Sequence, residues 1–103
     1  MKVRDVVEAL ERIAPPHLAA EWDNVGLLAG DADADVRKLL LTIDLTADVL
    51  AEAGRTRAQM VMAYHPLIFH PLKRVTAAEA PLVHEVVRRS LAVYSAHPAL
   101  DAA

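Results

Sequence analysis

The segment Lys38-Leu39-Leu40-Leu41-Thr42-Ile43-Asp44 constrains the fold more than any other stretch of the chain. It is apolar nearly throughout and far too short to span a membrane. That pattern is expected of a strand buried on both faces of a parallel sheet. Thr46 can then cap a helix over Ala47, Val49, Leu50 and Ala53, with Gly54 as its C-terminal stop. A second buried strand follows from Gln59 to Ala63, and Leu91-Ala92-Val93-Tyr94-Ser95 supplies a third. Between these two lies a helix carrying Leu82, Val83, Val86 and Val87. It starts either from a capping box at Thr76-x-x-Glu79 or with Pro81 as its first residue. The order strand, helix, strand, helix, strand predicts an α/β fold with a mostly parallel sheet, flanking helices and right-handed crossovers.

Two segments precede this unit. Val3, Val6, Val7, Leu10, Ile13 and Ala14 recur at helical spacing opposite Arg4, Glu8, Glu11 and Arg12, and Pro15-Pro16 ends that helix. Within Trp22-Asp23-Asn24-Val25-Gly26-Leu27-Leu28, Asp-Asn followed by Gly reads as a turn entering a strand, and Asp31 to Asp35 as an acidic loop. With 103 residues the chain is one domain, 1–103, near the low end of what buries a self-sufficient core. Only four residues are aromatic, so Leu and Val are expected to build that core. The chain closes shortly after its last strand, with no helix to cover it. It therefore reads as the incomplete amino-terminal part of a larger α/β fold.

Composition removes several function classes. No cysteine means no disulfide framework, thiolate metal site or cysteine nucleophile. A net charge of −3 gives no overall drive toward nucleic acid, and Lys73-Arg74 and Arg88-Arg89 are short pairs rather than a basic stripe, so no direct nucleic-acid binding is expected. The N-terminus lacks a signal peptide's apolar region and no run is long enough for a membrane span. A soluble cytoplasmic protein with no membrane contact is the expectation. Phosphate-binding glycine fingerprints and a G-x-S-x-G elbow are absent; Ser90 and Ser95 are the only serines.

What remains lies at the carboxyl ends of the predicted strands, where open α/β sheets gather their ligand-binding groups. Those ends carry Asp44, Tyr64 and His65, and beyond the last strand His97 and Asp101. Imidazole with carboxylate suits Zn, Mn or Fe. Each residue also has a plainer reading. Asp44 fits a turn or cap better than a ligand, Tyr64 fits a core position, and His65 can equally bond a backbone group. Pro98 works against a helical face shared by His97 and Asp101. His17, His70 and His84 read as surface residues.

Three ordered motifs add a resemblance. Glu21-Trp22-Asp23-Asn24-Val25-Gly26-Leu27-Leu28 comes first, then Ala63-Tyr64-His65-Pro66-Leu67-Ile68-Phe69-His70-Pro71-Leu72-Lys73-Arg74, then Tyr94-Ser95-Ala96-His97-Pro98-Ala99-Leu100-Asp101-Ala102-Ala103. Together they resemble the NGG-one-interacting-factor-three-like family, whose bacterial members are often labelled GTP cyclohydrolase 1 type 2 homologues. The resemblance covers the whole chain and the amino-terminal part of the family's length.

It implies an α/β fold with a dinuclear centre of divalent metal ions, two per complete site, in a toroidal homo-hexamer. In the family's H-H-P-L-I-F motif the second metal-ligating histidine matches His65, and the first is replaced by Tyr64. Tyr64 is accordingly assigned to orienting a water or supporting a ligand, since a phenol ionises reluctantly. The late H-T-N-L-D motif matches His97 and the bridging Asp101, with Pro98-Ala99 in place of Thr-Asn. The resemblance thus makes His65 and Asp101 the metal ligands, and Tyr64 and His97 candidates to assist proton transfer. The family's later H-x-x-x-E motif, with further ligands, has no counterpart here, and two ligands fall short of the three usual in a catalytic zinc site. The implied activity is metal-assisted hydrolysis with a purine nucleotide as substrate. The competing reading is a non-catalytic metal-binding or protein-interaction role, or an inactive fragment.

Overall fold

The computed structural model describes residues 1–15 and 24–96. They form α1 (Val3–Ile13), β1 (Gly26–Ala29), β2 (Leu39–Thr42), α2 (Ala47–Thr56), β3 (Met60–Ala63), α3 (Pro81–Arg88) and β4 (Ala92–Ser95). One sheet contains all four strands in the order β1-β4-β3-β2. β2, β3 and β4 run parallel, and β1 is antiparallel to β4, with a register shift between Leu27 and Ala29. This is the mixed, mostly parallel α/β sheet that the strand–helix alternation predicts.

Alternation along the strands sorts side chains between two cores. On one face Val61, Ala63 and Val93 pack with Leu50 and Ala53 of α2, Val86 of α3 and Leu91. On the other, Met60, Ala92 and Tyr94 pack with Val3 and Val6 of α1 and with Val36. Burial, with the negative charge of Glu11 second, pushes the Tyr94 phenol pKa up. Among the described residues the core is built from Val and Ala more than from Leu: six alanines are buried against three leucines. Ile13 and Val87, expected on apolar helix faces, are 66% and 60% exposed.

The helix ends show what the sequence leaves open. Ala34 and Ala32 carbonyls accept from Val3 and Arg4 N–H, so the acidic loop satisfies the otherwise unpaired start of α1. Thr46 caps α2 as expected, its hydroxyl accepting from Val49 N–H at 3.3 Å. Gly54 does not stop α2, which runs on to Thr56 and closes with Arg57 in the left-handed region at φ 59°. Gly54 is instead overlaid by Arg89: a Cβ there would sit 3.4 Å from the Arg89 guanidinium. Pro81 is the first residue of α3, and the Thr76 hydroxyl accepts from Glu79 N–H in the preceding turn rather than capping that helix.

The largest departure concerns β2. It is an edge strand, and Leu41 is 67% exposed. α1 lies over β3 and β4 and leaves the β2 end of that face open, so only the α2 side of β2 is covered. Among the described residues no helix is long and apolar enough to cross a membrane.

Glu85 ties α3 to its surroundings. Its carboxylate accepts from Arg88 and, at 2.7 Å, from Arg89 Nε, while Arg89 also donates to the Leu50 carbonyl of α2 at 2.8 Å. Hydrogen bonds from Arg88 and then Arg89 hold the Glu85 pKa at about 2, below the ordinary 4.5. A depressed carboxylate pKa stabilises the fold above its unfolded value, and that contribution is lost as pH falls through the folded value. Thermal melts should therefore show wild type above Glu85→Gln at neutral pH, with the gap closing between pH 4.5 and about 2. A gap independent of pH would contradict the assignment.

Candidate metal centre

β2 and β3 are parallel neighbours, so the chain leaves both strands at the same end of the sheet. Backbone pairing continues one step past the strands: Tyr64 N–H donates to the Thr42 carbonyl at 3.0 Å and His65 N–H to the Ile43 carbonyl at 2.9 Å. The Thr42 hydroxyl donates to the Asp44 carbonyl at 3.0 Å and fixes the bend after β2. This bend carries the Asp44 carboxylate to His65, with Oδ1 2.7 Å from Nδ1. The Tyr64 ring lies beside that imidazole, centroids 5.2 Å apart and tilted by 59°. From β4, the buried Ser95 hydroxyl donates to the Tyr64 carbonyl at 3.3 Å, so three strand ends meet at this point.

The loop after His65 is held from the other side of the sheet. Asn24, just before β1, donates from Nδ2 to the Ile68 carbonyl at 2.7 Å. Two of the sequence motifs, far apart in the chain, are thereby one physical unit. Phe69 is half exposed and meets His70 edge to face at 4.8 Å. The same loop, through Leu67 and Leu72, lines a cavity of about 230 Å³ against the start of α3 at Pro81 and Leu82.

The sheet thus brings Asp44, Tyr64 and His65 together. His97 and Asp101 lie outside the described residues, as does His17. His70 is exposed on its loop and His84 is half-buried on α3. Asp44 is the residue whose long-range partner local sequence reasoning missed. Thr46 takes the capping role, and Asp44 pairs with a residue 21 positions away.

Chemically, a carboxylate on Nδ1 is the arrangement that fixes a histidine's tautomer and aims Nε2 as a donor toward a metal. The pair fits one ligand position with its supporting carboxylate. Among the described residues no three His, Cys, Asp or Glu converge as a complete cage.

Comparison with known proteins identifies relatives of the chain and of its fold. The family profile described as Duf34/NIF3 (NGG1p interacting factor 3) matches residues 1–103. The chain is 41% identical over 103 residues to NIF3-like protein 1 of Drosophila melanogaster, an alignment spanning 97% of this chain and 35% of that protein. It is 33% identical to a GTP cyclohydrolase 1 type 2 homolog of Clostridium perfringens, covering 98% of this chain and 39% of that one. The crystal structure of a Bacillus cereus protein related to NIF3 superposes with a TM-score of 0.92 at 33% identity, over 98% of this chain and 28% of that structure. The chain therefore spans between about a quarter and two fifths of the length of these relatives.

Proposed function

The chain belongs to the Duf34/NIF3 family, and from that premise we propose that it contributes one part of a divalent-metal site serving metal-assisted hydrolysis. The observation that carries this reading is the Asp44–His65 contact of 2.7 Å at the carboxyl ends of the parallel strands. His65 is the proposed ligand from the described residues, and Asp101, outside them, would be a second ligand. Bound Zn, Mn or Fe would lower the pKa of a coordinated water toward neutrality and polarise the group under attack. Asp44 keeps a proton on His65 Nδ1 and sets the ring's orientation. Tyr64, packed beside that ring, and His97 are proposed to assist proton transfer. The substrate class to test first is a purine nucleotide, following the name carried by the Clostridium relative.

A second reading is favoured by one residue. Tyr64 stands where an imidazole would supply a further ligand, which suits a metal-binding or protein-interaction role without turnover. One experiment separates the two. The protein is stripped with chelator, reloaded with Zn, Mn or Fe, assayed for metal content by mass spectrometry, and incubated with GTP while products are followed chromatographically. Metal-dependent GTP consumption that His65→Ala abolishes supports the hydrolase. Retained metal without turnover supports a non-catalytic metal-binding role, and no retained metal overturns the hydrolase and leaves the protein-interaction or inactive-fragment reading.

A further inference from the structure

We propose that Asn24 is a positioning residue of the metal centre: its amide, donating to the Ile68 carbonyl, fixes the loop after β3 and so the direction in which His65 is presented to Asp44. The proposal deepens the metal-site reading and rests on it for its effect on metal binding. The bond is 2.7 Å long, partly buried, and links residues 44 positions apart. Only Nδ2 can make it, because the partner is a carbonyl and needs a donor.

The loop has little directional support of its own. Among the described residues, 66–75 make no backbone–backbone hydrogen bond. Leu67 packs against the core that contains Leu50 and Val61, but apolar contact is non-directional and does not set the peptide planes. From Ile68 back to His65 the chain is a short, stiff lever. Pro66 locks its own φ and disfavours helical backbone at His65, so a rotation at Ile68 is passed on to His65 rather than absorbed between them. β4 lies between β1 and β3, and β1 begins beside the end of β4, with Gly26 opposite Ser95. Asn24, just upstream of Gly26, therefore ties the two flanks of β4 together at the sheet end that carries His65. There the Ser95 hydroxyl donates to the Tyr64 carbonyl at 3.3 Å. His65 is thus gripped from both sides in sequence, by Ser95 through Tyr64 and by Asn24 through Ile68. Each of these contacts is internal to the described residues, and none depends on an open surface.

The test compares Asn24→Leu with Gln59→Leu in the full chain. Gln59 is the control because its side chain also clips distant backbone, accepting from Arg37 and Lys38 N–H at 2.8 and 3.0 Å, but just before β3, at the opposite end of that strand. Both variants should lower the thermal midpoint. Only Asn24→Leu should weaken Zn binding in titration calorimetry. The expected loss is about 3–10-fold, smaller than the roughly 10–100-fold for removing a carboxylate that orients a ligating histidine, because Asn24 acts one step further away. A second readout needs no metal. In nitrogen-15 spectra of the metal-free protein, with the ring neutral, His65 should carry its proton on Nδ1. Asn24→Leu should move it toward a mixture of tautomers, and Gln59→Leu should not. Equal Zn affinity in wild type and Asn24→Leu, or equal losses in both variants, overturns the proposal. If wild type itself binds no Zn, the metal-site reading fails and the metal-free spectrum decides the positioning role alone. A His65 tautomer that Asn24→Leu leaves unchanged then overturns it, and a loosened one upholds it. Should Asn24→Leu fail to fold, Asn24→Ala takes its place in both measurements.

Discussion

Gly30→Ala should cost about 4 kcal/mol of folding stability, close to the whole stability of a small domain. Two effects combine. Gly30 sits at φ +108°, where a Cβ is strained, and that Cβ would fall 2.6 Å from Ala92 Cα and 2.9 Å from Ala92 Cβ. Backbone strain of this kind costs about 1–3 kcal/mol, and forcing atoms into a packed site about 1–3 more. The clash cannot be relieved cheaply, because Ala92 is backbone-anchored in β4 between β1 and β3. Gly26 provides the control: its φ is +109° but nothing lies within 4 Å of the added Cβ. Gly26→Ala should therefore show the strain alone, roughly 1–3 kcal/mol. Urea unfolding followed by circular dichroism measures both. Equal losses at the two glycines would mean that the approach of β4 to Gly30 is not the cause.

The other large effect is on metal affinity. His65→Ala should abolish measurable binding of Zn or Mn. Asp44→Asn should weaken it by about 10–100-fold, the usual penalty for losing a carboxylate that orients a ligating histidine. The amide can still donate or accept, but it no longer favours the proton on Nδ1. Asp101→Ala is expected to behave like His65→Ala. His84→Ala, on α3, should leave affinity unchanged. Titration calorimetry on the four variants tests the ranking, and equal retention in His65→Ala and His84→Ala would remove His65 from the site.

The parts of the fold written in local pattern were legible in the sequence. Helical spacing from Val3 to Ala14, the alanine- and leucine-rich run after Thr46, and the short apolar strands all marked real elements. What depends on distant partners was not. A continuous apolar strand looks the same whether a sheet buries both its faces or leaves one open, so Leu39–Thr42 read as buried on both faces although it is an edge with Leu41 67% exposed. Gly54 looked like a helix stop because glycine commonly is one. Its contact is with Arg89, 35 positions later, and no local pattern reports that. Asp44 had a plausible local task beside Thr46, and only the parallel pairing of β2 with β3 set its carboxylate against His65. The candidate site was visible as a set of strand ends, while the pairing that gives it chemistry required the fold.

The most direct test of that pairing is nitrogen-15 NMR of the histidine side chains during titration with Zn. The account predicts that His65 keeps its proton on Nδ1, held by Asp44, and that its Nε2 resonance is among the first to shift as metal is added. Asp44→Asn should blur that tautomer preference. A His65 that is unperturbed at saturating metal, while His70 or His84 shifts, would contradict the central claim.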